Sequence, residues 1–286
     1  MSKIEVANLE IRRNHFITDG KYIYYKRPET SHACNYRIVD STRRYGCMNT
    51  AKAFYKEGLS QEERKALFLE HRRNLSNSYD IGFDPKKFYM PSQTKDGSAI
   101  ELTEEMVEAC EDGWDLDIKS DILVVTHETP SVVAGYPVAD CPVLVATDLK
   151  NGITATAHCG AEMIDMELPR KTIEMMENKY NSKKADIAIY IGSHAGANWS
   201  YDSMPKWAKE DFWKEYEIIK QVADNEYRID LRKALLFQLD PAEFDSFIVN
   251  NEDTITNRNY YSNSAARKDP SKAGRQFTGA YYVKKR

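Results

Sequence analysis

The feature that most constrains this chain is a pair of continuous apolar runs joined by a tight turn. Pro142-Val143-Leu144-Val145-Ala146 and Ile153-Thr154-Ala155-Thr156-Ala157 flank Asp148-Leu149-Lys150-Asn151-Gly152. Runs this short, rich in β-branched residues and bounded by turn residues, read as buried strands. Asn-Gly favours the backbone of a two-residue reversal, so the pair is expected to form a β-hairpin. Ile122-Leu123-Val124-Val125, set between Asp121 and Thr126, and Ile187 to Ile191, ending at Gly192, have the same character. The 286 residues can cover such strands, because a chain this long buries roughly three quarters of its surface.

Helix signals lie between the strands. Ser60-Gln61-Glu62-Glu63 has the spacing of a capping box, and Leu67, Phe68, His71 and Leu75 then recur at helical intervals. A helix is expected over 60–78, with Gly82 near its end. An acidic helix fits Thr103 to Cys110. Pro169 opens another, with Ile173, Met176 and Tyr180 on its buried side. Lys206 to Val222, carrying Trp207, Phe212, Trp213 and Ile218, reads as a long helix, and Asp230 to Leu239 as a shorter one. Further strands are expected around Tyr22–Tyr25, Phe247–Val249 and Phe277–Val283, the last after a long polar loop from Asn250 to Gly274. Helices and hairpin-linked strands mix without βαβ alternation, so the expected class is α+β with mixed sheets. No linker or repeat divides the sequence, and residues 1–286 are read as one domain.

Composition limits the function. Forty basic and 44 acidic residues give a net charge of −4, which disfavours a whole-chain nucleic-acid or anionic-membrane binder. No run of about 18 apolar residues is present, and Met1-Ser2-Lys3-Ile4-Glu5 lacks an apolar signal core. The five cysteines, Cys34, Cys47, Cys110, Cys141 and Cys159, are odd in number and scattered, so reduced thiols are expected. The expectation is a cytoplasmic monomer acting on a small-molecule substrate, with no nucleic-acid or membrane partner.

The chemistry gathers at the hairpin. Ala139-Asp140-Cys141-Pro142 precedes its first strand, and Ala157-His158-Cys159-Gly160 closes its second. Cys141 and His158 thus begin and end adjacent strands. A thiolate and an imidazole so placed hold a divalent metal or form a nucleophile–base pair. Inert core cysteine is the plain alternative. Asp140, an acid in an apolar stretch, needs a partner. Cys159 follows His158 directly and is expected to face the other way. His127 and His194, each at a strand end, read first as surface or capping residues. Lys183-Lys184 and Lys284-Lys285-Arg286 read as solvated surface. No phosphate-cradling glycine motif is present.

These segments resemble, in order, the signatures of the laccase-domain, or YfiH-like, family. Its members have been called multicopper polyphenol oxidoreductases and, later, purine nucleoside phosphorylases and peptidoglycan-editing enzymes. Asn49, His71-Arg72-Arg73-Asn74-Leu75, Gly82-Phe-Asp-Pro-Lys-Lys-Phe, Ile191-Gly192-Ser193, Asp230-Leu231, Tyr260-Tyr261-Ser262 and Gly274-Arg275-Gln276 extend the resemblance over roughly Asn49 to Val283. It implies a sandwich of packed mixed sheets with outer helices. It also implies a zinc centre of His, Cys and His with an open position. Cys141 and His158 match the second and third ligands, and Lys95, in Gln93-Thr94-Lys95, stands where the first belongs. An ammonium has no lone pair for a metal, so zinc binding is expected to be weakened. Gly160-Ala161-Glu162-Met163 replaces the family's Gly-Trp-Arg-Gly, Asp253-Thr254 its Cys-Thr, and its first-loop arginine is replaced near Asp19.

The leading expectation is a metal-dependent enzyme acting on a small polar metabolite, by phosphorolysis or hydrolysis of a purine nucleoside at a Cys141–His158 centre. Gln93 would bind substrate, Asp140 would orient a ligand, and Asn49, Arg72 and His194 would line the substrate site, His194 also serving as a replacement ligand. Copper oxidation fits poorly, since six histidines are few for several copper centres. A second reading is a metal-free amidase or deamidase with Cys141 as nucleophile, His158 as base and Lys95 lowering the thiol pKa. A third is a degenerate, non-catalytic member that binds a ligand or partner.

Overall fold

The computed structural model describes residues 16–18, 23–25, 34–49, 51, 54, 58–78, 83–109, 119–129, 131–148, 150–197, 200–202, 204, 213 and 217–284. In chain order these form β1 (Phe16–Thr18), β2 (Ile23–Tyr25), β3 (Cys34–Asp40), α1 (Gln61–Ser76), β4 (Phe88–Tyr89), β5 (Ala99–Glu101), α2 (Glu104–Ala109), β6 (Ile122–Thr126) and β7 (Val133–Val138). Then come β8 (Val143–Asp148), β9 (Ile153–His158), α3 (Ala161–Asp165), α4 (Leu168–Tyr180), β10 (Ile187–Ile191), β11 (Ser200–Tyr201), β12 (Ile219–Ala223) and β13 (Glu226–Ile229). The chain closes with α5 (Leu231–Gln238), β14 (Ser246–Val249), α6 (Asn263–Ala266) and β15 (Gln276–Lys284). Gly82, Cys110, Asp19, Trp207 and Phe212 lie outside the described residues.

Two six-stranded mixed sheets carry the fold. One runs β1-β2-β3-β15-β7-β4 and the other β14-β10-β8-β9-β6-β5, with a small β11-β13-β12 sheet beside them. The runs that read as buried strands are buried because the second sheet is covered on both faces. Leu123, Val125, Val143, Val145 and Tyr190 pack against Tyr36, Ala134, Tyr136 and Val138 of the first sheet. Their alternates Ile122, Val124, Leu144, Ala146 and Ile189 pack against the helix residues Ile164, Ile173, Met176 and Leu235. The outer face of the first sheet, which presents Phe88, Val133 and Phe277, is covered by Leu75 of α1 with Met48 and Phe83. The order helix, sheet, sheet, helix is the α+β sandwich with outer helices.

The Asn151-Gly152 hairpin is present, with Val143 opposite His158 and Asp148 opposite Ile153. The capping box at Ser60 and Glu63 is formed in both directions. One expectation fails on the described residues. The end of the supposed Lys206–Val222 helix is strand β12, which pairs antiparallel with β13. The turn is Asp224-Asn225, where Asn225 has φ 58°, a left-handed conformation asparagine tolerates. The loop from Asn250 to Gly274 also holds more order than expected, including α6 and a 3-10 turn at Pro270–Lys272.

Candidate functional site

The site is built at one end of β8 and β9. Val143 and His158 are cross-strand partners, and Cys141 lies two residues before Val143. Side chains two apart share a face, so Cys141, Val143 and His158 all look toward the first sheet. Cys141 accordingly joins the cluster between the sheets, and the His158 ring lies 5.8 Å from the Tyr136 ring. Cys159 points into the opposite cluster, under the helices. Gly160 brings the pair together: a Cβ built on it would sit 3.3 Å from both Cys141 Sγ and His158 Cε1. Those two atoms are therefore no farther apart than twice that distance.

Burial sets the charge of both groups. Cys141 is pushed up to about 12, first by loss of solvent and next by the Asp140 charge, against the opposing pull of Arg275 and Lys95. His158 is held down at about 4, again first by loss of solvent, with Asp121 opposing and Arg275 and Lys95 assisting. Near neutral pH the pair is a thiol beside an uncharged imidazole. His158 Nδ1 is buried without a hydrogen-bond partner among the described residues.

This has a measurable consequence. His158 takes up its proton in the unfolded chain near its ordinary value of 6.5 and in the folded chain only near 4. Between those values the unfolded state binds more protons, so stability falls as pH falls. The group removes about 2 kcal/mol between pH 7 and pH 5, at about 1.4 kcal/mol per unit. His158→Gln is expected to flatten that part of the curve by one proton in urea unfolding. An unchanged slope would show that the imidazole is not held neutral. His194 is also held below its ordinary value by burial and adds to the slope in the same direction.

Asp140 takes the strained position next to the thiol, with φ 78°. Its carboxylate accepts from Thr254 Oγ1 at 2.8 Å and from the Ser264 backbone N–H at 2.7 Å. Its carbonyl accepts from Ala195 N at 2.9 Å. The partner this buried acid needed is thus the C-terminal loop, and Asp140 anchors the entry to β8. Asp121, fully buried, holds the other wall. It accepts from Thr94 Oγ1 and from the backbone N–H groups of Lys95, Asp96 and Gly97 at 2.9–3.1 Å.

Lys95, at φ 63°, directs its ammonium to Glu162 Oε2 at 3.0 Å. Two of the departures from the family pattern therefore meet as one exposed ion pair. A catalytic zinc takes three protein donors. Cys141 and His158 supply two, and among the described residues no group of three His, Cys, Asp or Glu side chains is set to hold a metal. The donor set does not fit the zinc centre that the resemblance implied.

The other expected site residues differ in burial. Arg72 is fully buried: its guanidinium lies 4.0 Å from the Phe68 ring centroid and 4.9 Å from that of Phe88, and it donates to Pro85 O at 3.2 Å. Its charge is thus packed against two aromatic rings under α1. His194 is 5% exposed. Its Nδ1 lies 2.9 Å from Gly192 O, and its backbone bridges to Asp253. Gln93 is exposed. Asn49 is half-buried, and its side chain accepts from Ala51 N at 2.7 Å. Arg275 was absent from the expected site. Antiparallel pairing of Gln276 with Val138 puts residue 275 across from residue 139, beside Asp140 and Cys141. Its place in Gly274-Arg275-Gln276 was visible; its position across the sheet was not.

A family model described as multi-copper polyphenol oxidoreductase laccase matches residues 37–282. A purine nucleoside phosphorylase of Clostridium acetobutylicum is 24% identical over 171 residues, which cover 59% of this chain and 68% of that protein. The hypothetical protein YfiH of Bacillus licheniformis superposes with a TM-score of 0.66 at 16% identity, over 93% of this chain and 98% of its own. YlmD of Geobacillus stearothermophilus gives 0.63 at 14% identity with the same coverage. At these identities the two structures share the fold.

Proposed function

The chain belongs to the multi-copper polyphenol oxidoreductase laccase family, and from that premise we propose that it cleaves the N-glycosidic bond of a purine nucleoside, with Cys141 and His158 rather than a zinc ion at its centre. The observation that carries the reading is the uncharged His158 imidazole, buried beside Cys141 with Nδ1 unpartnered. A neutral imidazole offers one lone pair and one N–H. Those suit a reaction in which an oxygen nucleophile attacks the sugar C1′, the carbon–nitrogen bond breaks, and the base leaves with its electron pair and gains a proton. His158 accepts the nucleophile's proton on its imidazole and holds it near the departing base. Cys141 donates its weak S–H hydrogen bond at the same spot. The named relative supports the substrate class.

The cysteine-hydrolase reading needs a thiolate, and activated cysteines have lowered pKa values. Here the thiol is pushed up and the imidazole down, which favours the acid–base reading. The test is chromatography of free base after incubating the purified protein with inosine, adenosine or guanosine. Release is expected, with loss in Cys141→Ser and retention in Cys159→Ser. No release from any nucleoside would leave the non-catalytic reading standing.

A further inference from the structure

The C-terminal loop that grips Asp140 is built around a buried lysine. Lys272 is 7% exposed, and its ammonium donates to Thr254 O at 3.3 Å, Ile255 O at 3.3 Å and Asn257 O at 2.6 Å. Three backbone carbonyls thus meet the three N–H donors of one ammonium. Carbonyl oxygens converging on one point are the surroundings that replace the water around a potassium ion. The Lys272 carbonyl closes the ring by accepting from Ser262 N at 3.0 Å. Both donors to the Asp140 carboxylate hang from this cage. Thr254 gives its carbonyl to Lys272 and its hydroxyl to Asp140 Oδ1 at 2.8 Å. Ser264, two residues after Ser262, gives its backbone N–H to Asp140 Oδ2 at 2.7 Å. The Lys272 and Asp140 charges also act on each other. Asp140 needs such a grip, since φ 78° is costly for a residue with a side chain, and Cys141 follows it directly.

We propose that the Lys272 ammonium is a tethered monovalent cation, seated in a carbonyl cage, that holds Asp140 in its strained turn and so positions Cys141. It is a positioning residue, acting through Asp140. Without the ammonium the three carbonyls face one another unpaired, the 254–257 and 262–264 segments lose their common centre, and Asp140 relaxes. Cys141 then turns toward water, and a thiol that regains water ionises more readily. The vacated cage in turn accepts a free potassium or ammonium ion. The inference goes beyond the glycosidic-bond reading, and its readouts need no nucleoside, so either can fail without the other.

Lys272→Ala, which empties the cage and leaves a path to it, is compared with Lys272→Met, which keeps the stem and leaves no room. Each is alkylated with iodoacetamide, a neutral reagent, in potassium, ammonium, lithium or choline chloride at equal ionic strength. Rates are read separately for Cys141 and Cys159 by peptide mass spectrometry, and folding by thermal unfolding. Cys141 is expected to react at least about tenfold faster in both variants in lithium or choline, through a larger thiolate fraction. Cys159, on the opposite face of the sheet, should keep its rate. Potassium or ammonium should return Cys141 of Lys272→Ala most of the way to its wild-type rate. The same ions should raise the Tm of Lys272→Ala by about 3 °C over lithium or choline, the linkage expected of a site filled to roughly ten times its dissociation constant. Lys272→Met should not respond to them. With Asp140→Ala already in place, Lys272→Met should add less than about twofold, since the contact it works through is gone. An unchanged Cys141 rate in folded Lys272→Met overturns the proposal, as does an equal rise at Cys159 or an undiminished effect on top of Asp140→Ala. So does a Lys272→Ala chain that ignores potassium and ammonium, or that fails to fold in every salt. Should Lys272→Met fail to fold, the response of Lys272→Ala to potassium decides alone.

Discussion

Lys95→His is expected to raise zinc affinity by about two to three orders of magnitude. Structural zinc sites with four protein ligands are worth about 10–16 kcal/mol, so one ligand contributes about 3 kcal/mol, or roughly two decades at 1.4 kcal/mol each. The backbone is ready for the change. Asp121 fixes residues 95–97 through their N–H groups, and φ 63° at residue 95 is a conformation histidine enters more readily than most residues. The substitution also removes the ion pair with Glu162. That pair is more than half exposed on both sides and contributes little to stability. Metal content after dialysis and competition with a chromogenic chelator give the measurement. His158→Ala in the Lys95→His background should abolish the gain. Stoichiometric tight zinc in the unmodified protein, unmoved by Lys95→His, would mean that a third ligand is supplied from elsewhere and that lysine is no lost ligand.

The hairpin and its two chemical residues were legible because the information is local. Gly152, at φ 69°, marks the reversal between Asp148 and Ile153, and the run on either side specifies burial. Register then follows, and with it the shared face of Cys141 and His158. What was not legible depends on distant pairing. Val133–Val138 is a central strand, yet Gly135 and Pro137 are strand-breaking signals. Gly135 is required there because Gly279 lies opposite it, and an added Cβ would meet Thr278 O at 2.3 Å. The hairpin of β12 and β13 was hidden by the aromatic spacing before it, although Asp224-Asn225 is a turn signal. Asp140 was read correctly as an acid needing a partner, but Thr254 and Ser264 lie 114 and 124 residues away. Arg72 was read from its motif alone, and no local signal showed that its guanidinium lies over the rings of Phe68 and Phe88.

Asp121→Ala is expected to cost the most stability of any single change at this site, about 4 kcal/mol in urea unfolding. The carboxylate is fully buried and accepts three backbone N–H groups and one hydroxyl. Alanine leaves those donors facing a small void. An unsatisfied buried donor costs about 1–3 kcal/mol, and partial access of the exposed Lys95 and Asp96 to water offsets some of the sum. Asp121→Asn should lie between alanine and wild type. It keeps the volume and one accepting oxygen, but turns an NH2 toward groups that are themselves donors. The damage should be concentrated at the loop, so the amides of residues 95–97 are expected to exchange with solvent faster than those of β9. Because this loop sets the position of residue 95, Asp121→Ala should also reduce the zinc gain of Lys95→His, a coupling expected of residues joined by direct hydrogen bonds. Asp121→Ala within about 1 kcal/mol of wild type, with the zinc gain intact, would show that the loop keeps its shape without the carboxylate.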